Sequence, residues 1–410
     1  MSIASTSSSD STRIAICLLA TGVCAALHVW KLAPALPVLQ VELGMSLVQA
    51  GFLLSMVQFA GMTLGLMIGL MAERMGRRRC IAAGLVLLAG VSLLSTVFSS
   101  GTMMLLFRAL EGCGFLMVVL PVPSMFRQRL TPSTLSRVMG LWGAYIPTGT
   151  ILILIFGAWL ISLGGWRVLW WVLAVLTLAM MATVLVMVPD DAPGSTRKDA
   201  ETGGGSGAAA HTPSAWHLIR QTLGSVRVWL VALIFGCYAA QWMAVIGFLP
   251  TIYAAENLSV AMAGGLTGLV AGANIIGNLA AGQLLHRGVP VLRLQLAGFV
   301  VMMLATLFAF AVPASLPARF TAVLLFSTVG GLIPASCFIL ALRVAPSPQT
   351  TTTTVGWMQQ GSALGQFLGP PVMAMVVNVA GGWQWAWLTT AVLGTTGMAL
   401  AFALHRQASS

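Results

Sequence analysis

The chain has 410 residues, 58% of them hydrophobic and only 7% charged, with a mean hydropathy of +0.94. So few polar side chains cannot cover a water-facing surface of this size, so most of the chain is solvated by lipid. The net charge of +11 invites a nucleic-acid reading, but the positions of the basic residues exclude it.

At about 20 residues per span, the length accommodates roughly a dozen helices. Residues 1–12 are polar and Ser-rich, and Arg13 opens an apolar run that continues to Lys31. That run has no small-residue cleavage site, so it reads as a retained helix and not as a signal peptide. Spans are predicted at 14–35, 48–72, 80–98, 103–125, 138–160 and 166–188. A second set follows at 227–250, 262–285, 291–311, 319–342, 355–377 and 383–405. Between the sets the composition changes to Asp190, Asp191, Arg197, Lys198, Asp199, Glu201 and the run Gly203-Gly204-Gly205-Ser206-Gly207. This is a solvated linker, in which 216–221 is expected to form a short amphipathic helix on the membrane surface. The predicted organisation is therefore a tail (1–13), a six-helix bundle (14–188), a linker (189–226), a second bundle (227–405) and a short tail (406–410).

Of the 20 Lys and Arg residues, 16 fall at one face of this scheme: Arg13, the four arginines between Arg74 and Arg79, Arg127, Arg129, Arg137, four at the linker, then Arg287, Arg293, Arg343 and Arg406. The asymmetry orients an even number of spans with both termini cytoplasmic. The second half also repeats the first. At an offset of 213, Leu36-Pro37 meets Leu249-Pro250, Gly69 meets Gly282 and Arg74 meets Arg287; at 217, Gly164-Gly165-Trp166 meets Gly381-Gly382-Trp383.

No nucleophile elbow, phosphate loop or metal-protease motif is present, so the chain does not read as an enzyme. The six cysteines stand singly in or beside apolar helices, without metal or disulfide spacing, and no cofactor is implied. The informative residues are the ionisable ones inside spans, because a charge in hydrocarbon costs several kcal/mol unless it faces a partner or cavity. Thr21, Cys24, His28 and Lys31 form a polar stripe at 3-4-3 spacing. Lys31 either faces a cavity or snorkels to the rim, and His28 is either a ligand or proton group or a packing residue. Arg108 and Glu111, three apart, pair on one face of the fourth span. Glu111 is the one acid inside a predicted span, hence the candidate proton carrier; the alternative is a fixed ion pair between helices.

The loop Gly69-Leu70-Met71-Ala72-Glu73-Arg74-Met75-Gly76-Arg77-Arg78-Arg79 joins the second and third spans. It resembles the Gly-x-x-x-Asp-Arg-x-Gly-Arg-Arg loop of the major facilitator superfamily, with Gly69, Arg74, Gly76, Arg77 and Arg78 in place and Glu73 replacing Asp. The resemblance covers nearly all of 14–405. It implies an all-α integral membrane protein with twelve transmembrane helices in two pseudo-symmetric bundles, working in the bacterial inner membrane as a monomer. It also implies alternating access, with the 69–79 loop latching the cytoplasmic side. In that family helices 1, 4, 7 and 10 line a central cavity beside 2, 5, 8 and 11. His28, Lys31, Gln58, Arg108, Tyr145, Gln241, Trp242, Asn274, Gln359 and Gln366 would then be substrate-binding, although Asn and Gln also glue membrane helices together. Arg108 to Gly114 resembles the family's helix 4 motif Arg-x-x-x-Gly-x-Gly, which is linked to proton coupling. The region from Glu111 through Thr150 resembles the cyanate/nitroimidazole transporter branch. Helix 5 departs from the antiporter pattern, because Gly143 is followed by Pro147 with no adjacent Gly-Pro. Cations outweigh acids in this inventory, so the expected partners are a small organic or inorganic anion, protons and the bilayer. A drug or metabolite exporter with a mostly apolar pocket is the alternative.

Overall fold

A computed structural model describes residues 8–98, 100–190, 215–347 and 350–409, and all regular structure among them is helical. Most of the linker predicted at 189–226 lies outside the described residues; its part at Ala215–Leu223 is a helix packed on the seventh and eleventh spans. Thr222 of this helix bonds Thr353 at 2.8 Å.

The twelve spans are α1 (Ser11–Glu42), α2 (47–75), α3 (Arg77–Val97), α4 (Gly101–Arg129), α5 (132–163), α6 (166–187), α7 (Val226–Ala255), α8 (Val260–His286), α9 (Val291–Ala311), α10 (Leu316–Val344), α11 (Thr351–Ala380) and α12 (Trp383–Gln407). Two of them are separated by glycine. Gly164 and Gly165 leave helical geometry, Gly165 at φ +79°, and the chain reverses there between α5 and α6, a conformation that a side chain would strain. α2 is segmented as Leu47–Ser55, Val57–Thr63 and Gly65–Met75. α1 extends past the predicted end at 35, running through Pro34 and Pro37 to Glu42, with its helical ladder interrupted at Lys31. Proline lacks an N–H and crowds the carbonyl four residues back, which places the break one turn before Pro34. α5 starts at Pro132, earlier than the predicted 138, because proline suits the first helical turn.

Lipid gives no hydrophobic drive for helices to associate, so close backbone approach between small residues does that work. Gly361, Gly365 and Gly369 on α11 lie against the backbone of Ala232, Gly236 and Ala240 on α7. Between the halves, α2 packs on α11, α5 on α8, and the Leu32–Glu42 segment of α1 on α7. All three contacts lie toward the face opposite the termini. There Gly51 abuts Pro370 and Pro371, Gly264 abuts Leu154 and Ala158, and Leu36, Leu39, Phe248 and Leu249 are fully buried. Trp30 meets Trp242 edge to face at 5.3 Å. Toward the terminal face, Gly65 and Gly69 of α2, Gly282 of α8 and Gly356 of α11 have nothing within 4 Å of where a Cβ would sit. The seam between the bundles is thus packed on the distal side and open on the terminal side.

Candidate functional site: a buried charge cluster at the break in α1

At the interruption of α1 the carbonyls of His28 and Val29 both accept from Arg108 of α4. Its Nη1 and Nη2 donate to them at 2.8 Å each, while Nε donates to the Leu53 carbonyl of α2 at 3.3 Å. One helical turn on, Glu111 accepts from Arg108 Nη1 at 2.6 Å through Oε2 and from Lys31 through Oε1. Lys31 also donates to Ser92 of α3 at 2.8 Å, and its ammonium lies 4.6 Å from the Trp170 ring of α6. Ser92 bonds His28 Nδ1 at 3.2 Å, and His28 Nε2 bonds Thr177 of α6 at 2.8 Å.

All of these groups are dry: Lys31 and His28 are 0% exposed, Glu111 1% and Arg108 3%. Removing an ion from water costs several kcal/mol, and only close pairing and full hydrogen bonding offset it. Each charge here has that pairing, with Glu111 bridging two cations. The carboxylate offsets one of them, so the three ionised groups carry a net charge of +1.

Lys31 therefore neither snorkels to the rim nor faces the seam. It turns into the first bundle, where α3, α4 and α6 enclose it. His28 lies beside it in the same interior. Arg108 and Glu111 pair as their spacing predicted, and Lys31 completes a triad that the sequence did not join. Ser92, Thr177 and Trp170 went unrecognised in the sequence, where a lone Ser, Thr or Trp in an apolar span is unremarkable. In the second bundle Gln241 is fully buried, and its amide donates to the Cys237 carbonyl at 3.1 Å. Its Oε1 has no partner among the described residues and lies toward Gly394 of α12, so it too faces its own bundle.

Of the other predicted lining residues, Gln58, Gln366 and Trp242 make contacts across the seam. Gln58 donates to Gln366 across it at 3.0 Å. Trp242 sits under Trp30 and donates to Ser327 at 3.2 Å. Asn274 is bonded to Tyr238 at 3.0 Å and to the Ser327 carbonyl at 2.8 Å. Tyr145 stacks on Trp142 at 4.4 Å, and Gln359 is exposed on the terminal half of α11. The contacts that cross the seam are made by rings and amides, and the charges of the triad lie behind them.

In the 69–79 loop, Gly76 at φ +92° makes the turn from α2 to α3, and Arg77 starts α3. Arg78 donates to the Leu185 carbonyl of α6 and lies 3.8 Å from Asp190, while Arg79 is 3.4 Å from the same carboxylate. Arg74 is exposed, and the Glu73 side chain lies outside the described ones.

The sequence profile of the Major Facilitator Superfamily matches residues 18–354. The chain belongs to that superfamily. Cyanate transport protein CynX of Escherichia coli is 26% identical over 384 residues, covering 91% of this chain and 92% of that protein. An uncharacterized MFS-type transporter of Mycobacterium tuberculosis is 24% identical over 156 residues, which is 38% of this chain and 23% of that protein. Among solved structures, a bacterial homolog of the human lysosomal transporter Spinster, inward-facing and unoccupied, superposes with a TM-score of 0.84 at 16% identity, covering 98% of both chains. The nucleoside transporter NupG superposes with a TM-score of 0.75 at 14% identity over 96% of this chain and 99% of that one. These structural likenesses concern the fold alone. The protein is an integral membrane transporter of a small solute.

Proposed function

We propose that this transporter moves a small organic or inorganic anion across the bacterial inner membrane by alternating access, coupled to protons through Glu111. The observation that carries this reading is the buried Lys31–Glu111–Arg108 triad and its excess cation. Protonating Glu111 alone would leave two cations facing each other in a low-dielectric interior, which is strongly unfavourable. An anion arriving beside Arg108 removes that penalty, so proton and anion load together and the loaded protein carries the same charge as the empty one. The full-length similarity to a protein named for cyanate transport supports an anion of that size. Gln58, Tyr145, Trp242, Asn274 and Gln366 supply the neutral hydrogen-bonding and stacking walls of the path. The single chain suffices for this cycle, so the working unit is a monomer.

The positive-inside distribution puts the terminal face in the cytoplasm, and the structure then corresponds to the inward-open end of the cycle. The 69–79 loop, with Gly69, Glu73, Arg74, Gly76, Arg77 and Arg78, latches the cytoplasmic side when the protein opens outward. Gly69 and its repeat partner Gly282 face open space here, so their lack of a side chain matters in the other state. Gly69→Leu is expected to leave the protein as stable as before, or up to about 1 kcal/mol more stable through helix propensity, while abolishing transport. A thermal melt beside an uptake assay checks this, and wild-type uptake would remove the latch.

The reading is tested by uptake of labelled cyanate into proteoliposomes under an imposed pH gradient. Accumulation that collapses with the gradient and is lost in Arg108→Ala is the expected result. The neutral, aromatic seam favours one rival, an exporter of apolar drugs or metabolites. Thermal stabilisation by such compounds, unaffected by Arg108→Ala, would select it.

A further inference from the structure

Lysine ammonium only donates hydrogen bonds, so at 2.8 Å from Lys31 the Ser92 oxygen must accept. Thr177 gives its own proton to the Leu173 carbonyl at 2.6 Å, so His28 Nε2 carries the ring proton and donates to Thr177. In the neutral ring Nδ1 is then the lone-pair nitrogen, and it takes the single Ser92 proton. Every donor in this chain points the same way, from Lys31 of the triad on α1 toward α6, and the neutral His28 presents a basic nitrogen to Lys31 through one hydroxyl. The charged and titratable groups around the ring are Cys24 and Lys31 on α1 and Arg108 and Glu111 on α4, with the hydroxyls of Ser92 on α3 and Thr177 on α6 completing the shell.

The second bundle fills the same place without this chemistry. At the repeat offsets, His28 corresponds to Gln241, Lys31 to Ala244 and Thr177 to Gly394, and Gly394 lies beside Gln241. Packing at this position therefore requires neither an imidazole nor an ammonium.

We propose that His28 is the proton acceptor of the triad and Ser92 the hydroxyl that carries the proton to it; this rests on Glu111 as the proton carrier. In the release step a Lys31 N–H bond breaks as a Ser92 O–H bond forms, and the original Ser92 O–H breaks as His28 Nδ1–H forms. Neutral Lys31 then takes the proton from the Glu111 carboxyl. The net transfer is one proton from Glu111 to His28: Glu111 is again a carboxylate between two cations, and His28 holds the extra positive charge. The relay ends on His28, whose Nε2–H stays bonded to Thr177.

The test is run with a saturating small anion, thiocyanate, because proton and anion load together at the triad. The full chain in lipid nanodiscs is jumped from about pH 5 to about pH 8, conditions spanning the range in which His switches. The infrared carboxylic-acid band of Glu111, identified by its loss in Glu111→Gln, is followed in time. Ser92→Ala and His28→Gln should slow its decay at least tenfold with the starting amplitude kept, and Ser92→Thr, which keeps the hydroxyl, should decay at the wild-type rate. Unchanged rates in Ser92→Ala and His28→Gln would overturn the relay and leave Glu111 as carrier. Loss of amplitude in those variants would also overturn it, because the two residues would then be supporting the carboxyl's protonation and not conducting the proton. A wild-type protein with no such band would remove Glu111 as carrier and the relay with it.

Discussion

Glu111→Gln is expected to destabilise the protein by about 3–5 kcal/mol, the range for deleting one partner of a buried ion pair. It leaves Lys31 and Arg108 in a dry interior with no counter-charge, and Lys31 has only Ser92 and the Trp170 face left. Arg108 suffers less, because three backbone carbonyls still hold it. The double change Lys31→Met with Glu111→Gln should therefore recover most of the loss, since it removes the stranded ammonium along with the carboxylate. Thermal unfolding in one detergent, for the two single variants and the double, reads this directly. A double variant as unstable as the sum of the singles would mean that the two groups do not act as a pair. Transport should stay lost in the double variant, which separates the role of the triad in stability from its role in the cycle.

The second large effect concerns the α7–α11 contact. A Cβ on Gly365 would sit 2.1 Å from the Gly236 carbonyl oxygen and 2.8 Å from its carbonyl carbon. These are backbone atoms that no rotamer change can move, so Gly365→Ala must push two helices apart along a contact that Gly361 and Gly369 also use. Overpacking of this kind costs about 1–3 kcal/mol, and Gly365→Val should exceed it. Gly356 lies on the same helix with nothing within 4 Å. Gly356→Ala should be neutral or gain up to about 1 kcal/mol from helix propensity. Melting temperatures of the two alanine variants, compared in one preparation, decide the matter; equal shifts would remove the close-approach argument.

Much of this protein was legible without coordinates because membrane insertion is dictated by composition and length. Runs of apolar residues at bilayer length, a repeat at offsets of 213 and 217, and a basic Gly-containing loop at one place suffice for twelve helices in two bundles. The boundaries were less secure. α1 passes Pro34 and Pro37 and reaches Glu42, since a membrane helix continues beyond proline where neighbouring helices hold it, here with Leu36 and Leu39 fully buried. The Arg108–Glu111 pair was visible because both residues lie on one helix face, where three-residue spacing fixes the neighbour.

The fate of Lys31 was beyond any such rule. Its position in sequence allows the rim, the seam or the bundle interior, and the choice depends on which groups from other helices meet it. Glu111 comes from 80 residues away, Ser92 from 61, and Trp170 and Thr177 from the sixth span. The sequence by itself determined the solvent of this chain, the number and pairing of its spans and the face that carries its arginines, because these follow from transfer energies and charge counts summed along a segment. Only the tertiary structure decided that the ionisable residues of α1 and α4 form one dry, hydrogen-bonded cluster inside the first bundle while rings and amides face the seam. That decision belongs to close packing, where the side chain that satisfies a buried charge is chosen by helix crossing and not by distance along the chain.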